Sequence, residues 1–257
     1  MKEQKQKVIT AIVRTDTHIP YEDKKTVAVI NKYMADHRFD YWIHLGDLGD
    51  FNEISRYNDD LPRLKKEKTK QTFEKMNKYL DEQQKIIRKN NPHAKFILLE
   101  GNHEARLETF MDKHPEMEGL LEAKENLHLD DRGIKWVRSW TRGDLFKLGK
   151  AAFMHGLFLS KYHAEKTVTA FDCNIYYGNN HDVMEMPKVA MGDNKTKVGK
   201  SLGCECNYNQ AYLKGNPTKW QQAFTIFQFF ENGMYTEHTI RIFNHKFIDQ
   251  YGKIYQI

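Results

Sequence analysis

The sequence contains only three cysteines and six prolines, and it has no long apolar run. A helix that crosses a bilayer needs roughly twenty consecutive apolar residues, and no stretch of this chain approaches that length. Basic residues 1–7 lead directly into an alternating, strand-like segment, whereas a signal peptide continues into an apolar core and a small-residue cleavage site. We therefore expect a cytoplasmic protein without a membrane span.

The three cysteines, Cys173, Cys204 and Cys206, are too few and too unevenly placed for a disulfide framework. Cys204 and Cys206 would point the same way in an extended segment. The chain has no second cysteine pair of the kind that completes a zinc site. We interpret the cysteines as reduced thiols in a packed segment and assign them no role.

Charge is plentiful but unevenly distributed. Charged residues make up 29% of the 257 residues and hydrophobic residues 40%, which is typical of a soluble globular protein. The net charge is +5, and residues 63–89 hold ten lysines and arginines against four acidic residues. Two interpretations of this segment stay open. It is either a basic patch that attracts a polyanion or the solvated face of a long helix.

The order of apolar patterns predicts the fold class. Strand-like segments at 7–13, 41–45, 96–99 and 151–154 alternate with helical patterns that include 24–36 and 63–89. From residue 173 onward the pattern is mostly strand, at 174–177, 188–191, 223–230 and 235–243. We find no repeat, linker or break in composition. The prediction is one α/β domain over residues 1–257, with a helical insertion at about 59–92.

Polar residues follow five of these strands. The segments are Asp16-Thr17-His18, Gly46-Asp47-Leu48-Gly49-Asp50, Gly101-Asn102-His103-Glu104, His155-Gly156 and Gly178-Asn179-Asn180-His181. Functional loops collect at the carboxyl ends of strands in open α/β sheets. Each segment alone has an ordinary explanation as a turn or as a hydrogen-bonded core histidine. Their combination and order predict a metal site at one sheet edge.

The same motifs, in the same order, resemble those of the calcineurin-like metallophosphoesterases, and the resemblance spans residues 8–182. The end of the chain, from Ser201 to Phe224, is similar to phage and bacterial members of that group. The resemblance implies a four-layer α/β/β/α sandwich built on two mixed β-sheets.

The resemblance also implies a role for each motif residue. Asp16, His18 and His181 correspond to ligands of a first metal, and Asp47 to the carboxylate that bridges both metals. Asn102 and His155 correspond to ligands of the second metal, with Asn102 also near the substrate.

The remaining roles concern the substrate. His103 corresponds to the catalytic histidine beside the leaving group, and Asp50 to the carboxylate that orients it. Arg106, expected on the first helical turn after the third strand, is a candidate phosphate-binding residue. A surface arginine is an equal interpretation of Arg106.

Two positions depart from the family pattern. Asn179 stands where the family has a histidine ligand of the second metal, through natural divergence, deliberate inactivation or a shifted alignment. Asparagine coordinates through its amide oxygen and is a poorer ligand than imidazole for these metals. Phe51 stands where the phosphoprotein phosphatases have a phosphate-binding arginine, and Arg56 and Arg106 are the nearest basic residues.

The expected cofactors are two divalent metal ions. Carboxylate, imidazole and amide ligands favour manganese, with iron, zinc or nickel as alternatives, over the all-oxygen shells of magnesium and calcium. Such a pair activates a bridging hydroxide for attack on phosphorus, and His103 assists the leaving alkoxide.

The sequence thus predicts a metal-dependent phosphoesterase. A phosphodiesterase or nuclease is favoured over a phosphomonoesterase (a nucleotide or protein phosphatase) because of the basic 63–89 segment. A different class stays open because of Asn179, namely a weakened phosphoesterase that serves as a binding or scaffold protein. The expected partner is a phosphate ester, with nucleic acid or nucleotide as candidates, and the oligomeric state is not predicted.

Overall fold

Two β-sheets and the helices on their outer faces make up the protein. The computed structural model describes residues 8–55, 68–189, 192, 195–209, 213 and 215–257. No helix in these ranges is long and apolar enough to cross a membrane.

The first sheet has six strands in the order β11-β10-β1-β2-β3-β4. Strands β1 to β4 run parallel to one another, and β10 and β11 are antiparallel additions beside β1. The strands are β1 (Ile9–Arg14), β2 (Tyr41–His44), β3 (Lys95–Leu99), β4 (Ile134–Val137), β10 (Ala223–Phe229) and β11 (Tyr235–Arg241).

The second sheet has five strands in the order β5-β6-β7-β9-β8. Its central strands β6, β7 and β9 are parallel, and its two edges are antiparallel. The strands are β5 (Phe146–Leu148), β6 (Ala151–Met154), β7 (Asn174–Tyr177), β8 (Glu185–Lys188) and β9 (Lys197–Ser201). A separate hairpin joins β12 (Lys246–Ile248) and β13 (Ile254–Gln256).

The described part of the chain has six α-helices beside the sheets. They are α1 (Lys24–Asp36), α2 (Thr69–Asn90), α3 (Ala105–Met111), α4 (Ala123–Asn126), α5 (Ser139–Arg142) and α6 (His163–Phe171). Short 3₁₀ turns cover Asn52–Ile54 and Pro115–Met117. Asp23 is the N-cap of helix α1, and its carboxylate accepts the backbone N–H groups of Lys25 and Thr26.

Apolar residues fill the space between the two sheets and the space beneath the helices. Val13, Ile43 and Leu99 of the first sheet pack against Phe153 and Tyr176 of the second. The opposite face of the first sheet packs against the apolar stripes of α1 and α2, and α6 covers the second sheet. The expected α/β/β/α arrangement with two mixed sheets is confirmed.

Two strand predictions need correction. The segment 188–191 overlaps the observed strand β8, Glu185–Lys188, at one residue only, and residues 190 and 191 lie outside the described residues. Strand β9 was not predicted, because its sequence (KVGKS) has one apolar side chain and no alternation of apolar and polar residues. The predicted 63–89 helix corresponds to α2, and residues 63–67 lie outside the described part of the chain.

Candidate metal centre

The loops that follow five strands meet at one edge of the sandwich. Asp16 follows β1, Asp47 follows β2 and Asn102 follows β3, which are parallel neighbours in the first sheet. His155 follows β6 and His181 follows β7, which are parallel neighbours in the second sheet. Parallel strands end at the same edge, so both sheets contribute side chains to one cleft.

Four buried side chains form a first group of potential ligands. One ligand atom from each of Asp16, His18, Asp47 and His181 lies within 4.8 Å of the others. Nε2 of His181 lies 3.1 Å from Oδ1 of Asp16, and Nε2 of His18 lies 3.7 Å from Oδ2 of Asp47. This is the set expected for the first metal.

Asp47 also belongs to a second group with His155 and Asn102. Its Oδ2 lies 3.3 Å from Nε2 of His155, which in turn is 2.9 Å from Oδ1 of Asn102. Nδ1–H of His155 donates to the carbonyl of Leu45 at 2.9 Å. That bond keeps a proton on Nδ1 and leaves Nε2 as the ring atom that faces the two oxygens and is available to a metal ion.

The electrostatics of both groups favour bound cations. Burial opposes charge on Asp47, yet the neighbouring histidines hold its pKa well below its usual range. Burial likewise lowers the pKa of His155 and His181, but Asp47 and Asp16 respectively outweigh it and raise each pKa to about 9. Buried carboxylates that draw protons onto two imidazoles are a donor set that fits divalent metal ions.

The backbone at the site is held in an uncommon conformation. Asp16, His18, Asp47, Asn179 and His181 have φ angles of 51°, 55°, 51°, 66° and 60°. A left-handed non-glycine residue costs of order 1–3 kcal/mol and persists where the surrounding structure enforces it. These five residues all lie in the loops that converge on the candidate metals.

Two glycines permit the close approach of these loops. A Cβ at Gly101 would lie 2.1 Å from Oδ1 of Asp47, and one at Gly178 would lie 2.2 Å from Oδ2 of Asp16. Any side chain at either position would push a candidate ligand out of place. The glycines of the third and fifth motifs thus have a steric explanation.

Asn179 is held by two different parts of the site. Its backbone N–H lies 3.0 Å from both carboxylate oxygens of Asp16, and its side-chain Nδ2 donates to the carbonyl of Gly156 at 3.1 Å. The side chain therefore lies against the loop that carries His155, on the side expected for the second metal.

His103 is positioned by a backbone carbonyl. Its Nδ1–H donates to the carbonyl oxygen of Asp50 at 2.8 Å, while the nearer carboxylate oxygen of Asp50 is 3.7 Å away. That carboxylate instead accepts a hydrogen bond from Nδ1 of His18 at 3.1 Å. Asp50 therefore orients His103 through its main chain and a candidate metal ligand through its side chain.

Arg106 lies beside His103, as the position on the first turn of α3 suggests. It donates to Nε2 of His103 at 2.8 Å and to the carbonyl of Asp50 at 2.9 Å. Burial lowers the pKa of His103 to about 4, with Arg106 adding to the effect and Asp47 opposing it. His103 is thus neutral in this arrangement.

Glu104 was missed as a site residue. Its carboxylate accepts the backbone N–H groups of Asp47, Gly49 and Gly101 at 2.9–3.0 Å, which joins the second and third motif loops. Burial and the nearby Asp47 raise its pKa to about 7. The sequence signal was present, because Glu104 is the last residue of the third motif.

A buried ion pair behind the site was also missed. Arg14, at the end of β1, is fully buried and makes two 2.6 Å hydrogen bonds to Glu205. Its guanidinium also donates to Gln83 of α2 and to Asn31 of α1. The network connects both helices and the segment around Glu205 to strand β1, which precedes Asp16. Its residues are far apart in the sequence, so no local pattern predicts their contacts.

Cys204 and Cys206 are fully buried next to the first group. One ligand atom from each lies within 4.8 Å of one from His181, and Sγ of Cys206 is 3.9 Å from Nδ1 of that histidine. The ring of Trp220 contacts His181 edge-on, with 4.4 Å between ring centroids.

Comparison with known proteins agrees with this geometry. The sequence model of the family described as calcineurin-like phosphoesterase matches residues 9–198. The chain belongs to the calcineurin-like phosphoesterases. A similar phage protein, the Gene 54 protein of Mycobacterium phage L5, is 23% identical over 226 residues, which cover 84% of this chain and 87% of that protein.

Solved structures similar to this calcineurin-like phosphoesterase include two of distant sequence. Vps29 from Chaetomium thermophilum has a TM-score of 0.48 at 13% identity, covering 96% of this chain and 90% of Vps29. Nuclease MPE from Pseudomonas putida has a TM-score of 0.37 at 15% identity, covering 84% of this chain and 83% of the nuclease.

Proposed function

We propose that this protein is a metal-dependent phosphodiesterase that acts on nucleotides or nucleic acid. The observation that supports it is Asp47, whose carboxylate belongs to both groups of potential ligands. Two groups that share one carboxylate place two cations close enough to contact a single phosphate. We also infer that residues 1–257 act as one domain, because both sheets contribute to this cleft.

The two metals would be held by Asp16, His18, Asp47 and His181 on one side and by Asp47, Asn102 and His155 on the other. When bound, such ions supply an activated water, neutralise phosphate oxygens and act as Lewis acids. Manganese remains our favoured metal, because the site mixes imidazole with oxygen ligands.

The protein's own side chains would then protonate the leaving group. Arg106 is permanently charged and occupies Nε2 of His103, so an arriving phosphate oxygen competes for its guanidinium. When the guanidinium of Arg106 donates to the phosphate instead, Nε2 of His103 is free. The phosphate then lies beside His103 as a neighbouring anion in place of the cation, and this raises the pKa of His103. Nδ1–H stays on the Asp50 carbonyl, so the added proton is at Nε2, where a leaving oxygen can take it.

The charge of the cleft supports a diester over a monoester. A phosphomonoester carries nearly two negative charges at neutral pH, whereas a diester carries one. The position expected to hold a second phosphate-binding arginine is Phe51, which is fully buried and packs on Phe73 of α2. Among the described residues, Arg106 is the arginine that contacts the catalytic histidine, and a single cation there suits a singly charged phosphate.

The second candidate function is a binding protein with a weakened centre, and Asn179 is the observation that favours it. Its amide nitrogen is committed to Gly156, which leaves only the amide oxygen to act as a ligand. Loss of an imidazole lowers affinity for the second metal.

Metal content and turnover separate these candidates. The purified protein is loaded with Mn²⁺ and assayed on bis(4-nitrophenyl) phosphate, 4-nitrophenyl phosphate, nucleotides, and single- and double-stranded DNA and RNA. A phosphodiesterase hydrolyses the diesters in preference to the monoester. Metal binding without hydrolysis of any substrate supports the binding protein.

The basic helix is tested separately. Lys70, Lys78 and Lys85 are exposed on α2, and their replacement by glutamine should weaken nucleic-acid binding and reduce its salt dependence. Hydrolysis of bis(4-nitrophenyl) phosphate serves as the control and should not change. If the dependence of nucleic-acid affinity on salt concentration does not change, the basic side chains of this helix form a solvated face and do not bind nucleic acid.

A further inference from the structure

A cavity of about 360 Å³ opens beside the candidate metal centre. Asn102 and Arg106 line the cavity. The cavity therefore adjoins the position proposed for the phosphate. Its other walls include Ile54, Phe110 and Trp140, with Lys113 among the lining residues. The lining therefore combines polar groups beside the candidate metal centre with apolar and aromatic side chains.

The aromatic wall is attached to the metal centre itself. The ring of Trp140, on the short helix α5, contacts the ring of His155 edge-on at 5.9 Å between centroids. Backbone N–H of His155 donates to Ser139, the residue before Trp140, at 3.0 Å. A group bound against Trp140 thus lies one side chain away from a phosphate held at the second metal position.

We propose that this cavity binds the nucleoside attached to the scissile phosphate, with its base against Trp140 and Phe110. The proposal rests on the phosphodiesterase function proposed above and names the substrate class of that site. A volume of about 360 Å³ lies at the small end of the range of ligand pockets, which suits one nucleoside.

The lining favours a nucleoside over a simple alkyl ester. Aromatic side chains bind bases through their flat faces with little sequence preference, and Asn102, Thr109 and Lys113 add polar groups for a sugar or base edge. Lys113 is exposed, which suits the next phosphate of an oligonucleotide. A lipid chain would meet several uncompensated polar groups in the same cavity.

Binding tests the subsite independently of turnover. The Mn²⁺-loaded protein is titrated with thymidine 5′-monophosphate and with 2-deoxyribose 5-phosphate, which has the same sugar phosphate but no base. We expect the nucleotide to bind about tenfold more tightly, a typical contribution of one stacked base. Trp140→Leu, which keeps an apolar side chain but removes the aromatic face, should abolish most of that ratio, and Trp140→Phe should retain part of it.

Tyr251→Ala is the matched control, because Tyr251 is a 70% exposed aromatic residue in the turn between β12 and β13. In this variant the ratio of the affinities for thymidine 5′-monophosphate and 2-deoxyribose 5-phosphate should equal that of the unaltered protein. Equal affinity for the two ligands in the unaltered protein, or the same ratio in folded Trp140→Leu, would overturn the nucleoside subsite. Should Trp140→Leu not fold, Phe110→Leu takes its place under the same criterion.

Hydrolysis of methyl 4-nitrophenyl phosphate, a diester without a nucleoside, tests the proposed function on its own. Turnover of this compound together with equal binding of the two sugar phosphates would retain the phosphodiesterase and reject the subsite. Base-dependent binding without turnover of any diester would retain the subsite and reject the phosphodiesterase.

Discussion

The Nε2 atoms of His18 and His181 lie 3.0 Å apart, although the two residues are separated by 163 positions in the sequence. Nδ1 of His18 faces the carboxylate of Asp50, an arrangement that places the proton on Nδ1 and the lone pair on Nε2. Two imidazole nitrogens that converge on Asp16 and Asp47 are stable together when a proton or a metal ion lies between them.

Metal binding should therefore stabilise the fold. At free Mn²⁺ about a hundredfold above its dissociation constant, we expect the melting temperature to rise by about 5–10 °C. His181→Ala should abolish most of this shift and lower the bound metal found by elemental analysis. His93→Ala, which removes an exposed histidine, is the control. A full shift in the His181 variant would place the metal elsewhere.

Loss of His103 should separate metal binding from proton transfer. His103→Ala should retain bound metal and lose roughly 10²–10⁴-fold in rate on a diester with a poor leaving group. The loss should be smaller with 4-nitrophenolate, which departs without protonation. Initial rates on both substrates, beside metal analysis, check this. Equal losses on the two substrates would contradict a role at the leaving group.

Asn179→His should strengthen the second metal position. Histidine tolerates the left-handed backbone at this residue about as well as asparagine does, so the fold should accept it. We expect higher metal stoichiometry and faster turnover at low Mn²⁺, measured by elemental analysis and initial rates at several metal concentrations. A variant that gains neither metal nor rate would show that residue 179 is not at a ligand position.

His44 should make the protein sensitive to acid. Burial, assisted by Arg14, lowers its pKa to about 3, from the 6.5 of an exposed histidine. A depressed histidine pKa stabilises the fold above pH 6.5, and that stabilisation is lost as the pH falls from 6.5 towards 3. Between pH 7 and pH 5 the loss is about 2 kcal/mol.

Urea unfolding at both pH values measures this effect. His44→Gln keeps a polar side chain near Thr17, the hydrogen-bond partner of His44, and removes the titration. The variant should lose less stability than the unaltered protein over the same pH interval. Identical pH dependence in the two proteins would mean that the pKa of His44 is the same in the folded and unfolded states.

Glu205→Gln should destabilise the protein strongly, because it leaves Arg14 buried without its counter-charge. Breaking a buried pair in this way costs about 3–5 kcal/mol, and the urea midpoint should fall accordingly. Lys124→Gln, which breaks an exposed pair with Asp130, should change stability far less, because exposed ion pairs contribute little. Comparable effects of the two substitutions would contradict the buried network.

The sequence by itself determined the family, the layered α/β fold and the loops that carry candidate ligands. Short motifs at strand ends and apolar periodicity are local signals, and both can be read without coordinates.

Only the tertiary structure decided how these loops meet. The carbonyl of Asp50, rather than its carboxylate, holds His103, because the direction of a side chain depends on the packing of two loops. Arg14 and Glu205, the three amides bound by Glu104, and the cavity at Trp140 likewise join residues distant in sequence. Such contacts form only when the two sheets and their loops pack together. A pattern within a single segment of the sequence does not predict that packing.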